Sequence, residues 1–154
     1  MTRDKARPHI TCQVLIYPST NIFELNSKSW TNFGHDYILT RENSQKYLSL
    51  YTPNIEDREN PYASPILAKH FKGLPDSLVI TAQFDPLKDE GEAYAQKLKE
   101  AGISSVFTRY KGVTHGFVSM DSIFKQAEEA LNQISLYLQK EIDKDYQISR
   151  QKYN

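Results

Sequence analysis

Residues 77–117 read SLVITAQFDPLKDEGEAYAQKLKEAGISSVFTRYKGVTHGF, and no other stretch limits the possible folds as strongly. The aliphatic and β-branched run from Leu78 to Gln83 is followed by Asp85-Pro86. Then comes a segment in which Leu87, Gly91, Tyr94, Ala95, Leu98 and Ala101 recur close to a 3.6-residue period, closed by Gly102. That order predicts a buried strand, a turn, an amphipathic helix from Pro86 to Ala101 and a glycine stop. SVFTRY, Ser105 to Tyr110, predicts the next strand, and KGVTHGF the loop beyond it, where Gly112 and Gly116 let the backbone turn on either side of His115. A strand-helix-strand unit of this length makes a parallel pair with a right-handed crossover. It brings Asp85 and His115 to one edge of the sheet, where open α/β sheets bind their ligands.

Each of the two residues also has a plain structural reading. Aspartate followed by proline is a helix-start signal, and a lone loop histidine is usually just solvated. Delivered to one edge by neighbouring strands, they become two members of a nucleophile, acid and histidine set, in which the carboxylate orients the imidazole. The nucleophile then belongs upstream.

The rest of the chain supplies a third strand and covering helices. ITCQVLIYP, Ile10 to Pro18, is near-continuously apolar, as in a strand buried on both faces of a parallel sheet, and Tyr17-Pro18 ends it. Cys12 inside it reads as a buried, inert thiol. Residues 19–60 are polar and aromatic and read as an irregular insertion. Within it, Thr40 as N-cap predicts a short helix running to about Tyr51. Trp30, Phe33, Tyr37, Tyr47 and Tyr51 there either wall a lid or seal the sheet, and sealing is the more economical reading. A helical turn is expected around Ile66 to Phe71, ending near His70, whose place there would be structural. Ser64 has no glycine elbow and is rejected as a nucleophile. Asp121 to about Lys144 predicts a long helix with Ile123, Phe124, Ala127, Ala130, Leu131, Ile134, Leu138 and Ile142 on its inner face, and residues 145–154 a frayed tail.

The whole chain of 154 residues reads as a single α/β domain. Nineteen basic residues balance nineteen acidic ones, so no net field recruits nucleic acid or an anionic membrane. A single cysteine excludes an internal disulfide framework. The polar start MTRDKARPH has no apolar core of signal-peptide length, and no later run approaches a membrane span. A cytoplasmic location is expected.

Four runs together resemble the C-terminal half of α/β-hydrolases of the hormone-sensitive-lipase-like esterase family: QVLIYP, NPYASPILA, FDPLKDEGEAYAQKLKEAG and RYKGVTHGF. The resemblance spans about residues 10–138, and DPLxDE with HGF carries its specificity. It implies a partial α/β-hydrolase fold: the last three parallel strands, flanking helices and part of a cap. It also implies Asp85 as triad acid, His115 as triad base and an ester as substrate, with no cofactor and no metal. Val113 and Phe117 are expected to help wall the substrate pocket.

The six glycines form neither a GxSxG elbow nor an HGGG run, so a nucleophile and backbone oxyanion donors are both missing from this sequence. The expectation is therefore an esterase segment that is inactive by itself. A second reading is a non-catalytic interaction module that pairs with another chain through the open edge of the strand from Ile10 to Pro18. A third gives the nucleophile's part to another serine of this chain.

Overall fold

A computed structural model describes residues 8–151. Most of the polar lead-in and the last three residues lie outside that range. Three strands form one parallel sheet in the order β1 (Cys12–Ile16), β2 (Asp76–Phe84), β3 (Ser105–Thr114). The predicted α/β architecture is thus present, with β2 central.

Along β2, alternate side chains serve opposite layers. Leu78, Ile80 and Ala82 pack with Val113, Phe117 and the helix α4 (Lys125–Gln151) through Ala127, Ala130 and Tyr137. Val79 faces the other way, onto Tyr94, Ala95 and Leu98 of α3 (Lys88–Glu100), with Ile66 and Phe71 beside them. Both faces are covered, which is why the β2 segment reads as continuously apolar. Gly91 is where α3 comes closest to the sheet: a Cβ there would lie 3.2 Å from Thr81 Cγ2 and 3.4 Å from Pro18 Cδ. Gly102 follows the helix with φ +79°, the left-handed conformation of a glycine stop.

Several expectations need correction. β1 is half-buried along its length rather than buried on both faces, because among the described residues nothing pairs with its outer edge. α3 starts at Lys88, since Pro86 and Leu87 form a turn. β3 runs four residues beyond Tyr110, carried through an irregularity at Gly112. α4 continues helical through Gln151, so residues 145–151 are not a frayed tail; Asp145 accepts a hydrogen bond from Thr11 Oγ1 at 3.0 Å. The inner face of α4 is Ala127, Ala130, Ile134, Tyr137 and Glu141, rotated from the expected one. Leu131, Leu138 and Ile142 are exposed as a result.

The insertion is less irregular than expected. Ser27 caps a short α1 (Lys28–Phe33), and Thr40 caps α2 (Arg41–Tyr51) by accepting from Asn43 N–H, as its sequence predicts. The aromatics divide. Trp30 is buried and seals; Phe33 and Tyr37 pack on Phe84; Tyr47 and Tyr51 are exposed and do neither. The turn after Ser64 is only Pro65–Leu67, so His70 lies exposed beyond it and does not meet a helix end.

Candidate functional site

Asp85 is the first residue past β2, and its side chain is 0 % exposed. Both carboxylate oxygens are used. Oδ1 accepts the Leu87 backbone N–H at 2.8 Å, closing the turn into α3, and Oδ2 lies 2.9 Å from His115 Nδ1. Asp85 is not the N-cap of α3, as Asp-Pro suggested: the cap position is Leu87, without a side-chain cap bond, and Asp85 uses one oxygen to close the preceding turn and the other to meet His115.

His115 meets it because of how β3 ends. Between the pairs Ala82 with Tyr110 and Phe84 with Thr114, β2 advances two residues and β3 four. The surplus is taken up at Gly112, at φ +75°, whose N–H donates to Gln83 Oε1 at 2.8 Å. This is a bulge, and bulges re-aim the residues that follow them. Thr114 then rejoins the ladder and donates through Oγ1 to Phe84 O at 3.1 Å. His115 is the next residue, and Gly116, at φ +82°, turns the chain away behind it. The imidazole is 23 % exposed, one side on Asp85 and one against the ring of Tyr17, with centroids 4.6 Å apart.

Two further acidic residues, Glu90 and Asp89, fasten the insertion over this turn. Glu90 Oε1 accepts from the backbone N–H groups of Thr20 at 2.7 Å and Asn21 at 3.0 Å, and Oε2 accepts from Trp30 Nε1 at 3.4 Å. Asp89 Oδ2 accepts from Ser29 N–H at 2.8 Å, and Ser29 Oγ donates to Pro86 O at 2.6 Å. Residues 19–30 are therefore tied to the Asp85 turn by buried polar contacts. Burial pushes the Glu90 carboxyl up to about 7, against the opposing pull of its donors. For Asp89, burial acts upward too, but the Lys88 ammonium and Ser29 outweigh it and the carboxyl lies below its usual range.

Val113 and Phe117, expected as pocket wall, are 1 % and 0 % exposed inside the core under α4, because the bulge turns Val113 inward and Phe117 follows into a short buried turn. Ser64 is buried, donating to Arg58 O at 2.6 Å and accepting from Ile22 N–H at 3.0 Å. Cys12 is half-buried, and burial raises its thiol, with Glu141 and Asp76 adding to the shift, which fits an unreactive sulfur.

Residues 1–119 match the alpha/beta hydrolase fold family. The chain belongs to that family. Curated relatives include the carboxylic ester hydrolase LipN of Mycobacterium tuberculosis, 39 % identical over 126 residues, a match that covers 78 % of this chain and 33 % of LipN. An arylesterase of Saccharolobus solfataricus is 34 % identical over 118 residues, covering 76 % of this chain and 38 % of its own. Among solved structures, the hyperthermophilic esterase of the archaeon Pyrobaculum calidifontis superposes with a TM-score of 0.84 at 40 % identity, covering 88 % of this chain and 45 % of that one. The hydrolase-family chain thus spans between a third and a half of the length of these relatives, and it is a partial member of an esterase family. Among the described residues, no helix is long and apolar enough to cross a membrane.

Reading the sequence located Asp85 and His115 but passed over two residues of the same site. Glu90 was visible only as the last letter of DPLKDE, and its partners lie about 60 to 70 residues upstream in an insertion with little periodicity. Tyr17 appeared only as the residue that ends a strand.

Proposed function

We propose that this chain is the acid-and-histidine segment of a serine carboxylesterase. Asp85 holds His115 Nδ1, and Nε2 takes the proton from a serine hydroxyl as that oxygen attacks the ester carbonyl, then returns it to the departing alcohol. The observation that carries this reading is the 2.9 Å contact between His115 Nδ1 and a fully buried Asp85. Buried from water, the carboxylate stabilises the imidazolium that forms during attack. The serine and the oxyanion donors come from a segment carrying a GxSxG elbow, since the glycines here form none. The substrate is a small carboxylic ester, and the single cysteine favours a reducing, cytoplasmic setting.

The complementing segment docks on the open edge of β1 and on the neighbouring flank of the domain. The outer edge of β1, unpaired among the described residues, and the exposed Leu131, Leu138 and Ile142 on α4 support this. The test is hydrolysis of a short-chain nitrophenyl ester by the chain alone and by the chain co-expressed with a segment bearing GxSxG. Activity is expected from the pair and not from the chain alone. A rate unchanged by the added segment contradicts the reading.

A further inference from the structure

We infer that Tyr17 is a positioning residue for His115, a role that deepens the esterase reading and rests on it. Tyr17 is the one non-glycine among the described residues with positive φ, at +37°. Side chains rarely adopt this backbone conformation, and where it persists the surroundings over-determine it. Here they do so from both sides. The Tyr17 N–H continues the β1 ladder by donating to Ile80 O at 2.6 Å. The next residue, Pro18, sits against the glycine face of α3 at Gly91. Two residues further on, Thr20 is fastened to Glu90 through its N–H and to the Glu90 carbonyl through Oγ1. The chain must therefore leave the sheet toward α3 within one residue, and the left-handed turn at Tyr17 sends its ring to the opposite side.

That ring lands on the site. Its centroid lies 4.6 Å from the His115 imidazole, tilted by 57°, and 6.1 Å from Phe117, which is fully buried and supports it from below. The second contact matters because of what the first leaves free. The hydrogen bond to Asp85 fixes one atom of the imidazole, Nδ1, and His115 stands next to Gly116, whose backbone constrains it little. A ring held at one point can still tilt, and tilting swings Nε2, the nitrogen that must meet the serine hydroxyl. The Tyr17 ring blocks that swing. Strain at Tyr17 is thus coupled to the aim of the base. Catalysis is sensitive to such aim, since a misplacement of about 1 Å can cost on the order of a hundredfold in rate.

The experiment uses the full chain and follows the His115 Nδ1–H proton by NMR, identified by its loss in H115A. Wild type and Tyr17→Phe are expected to show a sharp, solvent-protected downfield signal. Tyr17→Gly, which relieves the positive φ and removes the ring, is expected to broaden or lose it while the core resonances of Leu78, Ile80 and Val113 stay in place. If the glycine variant fails to fold, Tyr17→Asn, which tolerates the same backbone without the ring, takes its place. With the complementing GxSxG segment, the ring-less variant is expected to lower kcat by about tenfold or more with KM little changed, and Tyr17→Phe to restore it. A folded ring-less variant that keeps the sharp signal overturns the assignment, as does a wild-type chain that never shows it. If the signal responds as expected but the paired chains hydrolyse no ester, the esterase reading fails and the positioning role of Tyr17 stands.

Discussion

In the chain paired with a GxSxG segment, Asp85→Asn and His115→Ala are each expected to lower kcat on a short-chain nitrophenyl ester by about ten-thousandfold. The asparagine is the more informative change because the two oxygens of Asp85 have different partners. Its carboxamide oxygen can still accept from Leu87 N–H, as Oδ1 does at 2.8 Å, so the turn into α3 survives. The amide nitrogen then faces His115 Nδ1 where Oδ2 stood at 2.9 Å. Two donors cannot share that contact, so the imidazole must move its proton to Nε2, and a protonated Nε2 cannot accept one from serine. The variant is therefore expected to be folded and inactive. Asp85→Ala removes the turn hydrogen bond as well and is expected to cost about 1 kcal/mol of stability besides. Steady-state kinetics with circular dichroism of each variant checks both. A loss below tenfold in a folded Asp85→Asn chain contradicts the pairing role.

Glu90→Gln changes how stability depends on pH. The Glu90 carboxyl is raised from 4.5 to about 7 in the folded chain, chiefly by burial. The folded state therefore binds this proton more tightly than the unfolded one. Its stabilising contribution is fully present below about pH 4.5 and is lost as pH rises through about 7. The difference corresponds to at most about 3 kcal/mol between pH 4 and pH 8. Glutamine cannot ionise, yet its carbonyl can still accept from Thr20 and Asn21 N–H. Relative to the variant, wild type is expected to lose about that amount across the interval, with the change centred near neutral pH. Urea unfolding at several pH values, followed by the fluorescence of the single tryptophan, Trp30, measures it. Parallel pH profiles for the two proteins contradict it.

The parts of the fold that sequence reading recovered are those built from local contacts. The β2, α3, β3 unit follows from periodicity, the proline and Gly102, and its crossover places Asp85 beside His115 without any knowledge of the tertiary structure. The parts it missed depend on partners distant in sequence. Which stripe of α4 faces inward is decided by the sheet, and alanines at 127 and 130 permit a close approach that a leucine at 131 does not. Val113 and Phe117 flank the histidine in sequence, so they look like pocket residues, but the bulge at Gly112 turns one inward and Gly116 turns the other under the sheet edge. α4 reaches Gln151 because its later turns find partners at the far end of the sheet, where Lys144 pairs with Asp76 at 2.6 Å and Thr11 with Asp145 at 3.0 Å. A window of local sequence contains none of these contacts. Neither does it contain the positive φ of Tyr17, which arises from constraints in β2, α3 and the insertion together.

In the proposed esterase, Asp85 and His115 activate a serine supplied by the GxSxG segment. Labelling by a fluorophosphonate, which reacts with activated serines, tests it most directly. The elbow serine of a co-expressed GxSxG segment is predicted to be labelled at least about a hundredfold faster with the wild-type chain than with His115→Ala, and this chain is predicted to take up no label. Equal labelling rates with the two chains, or label on a serine of this chain, would contradict it.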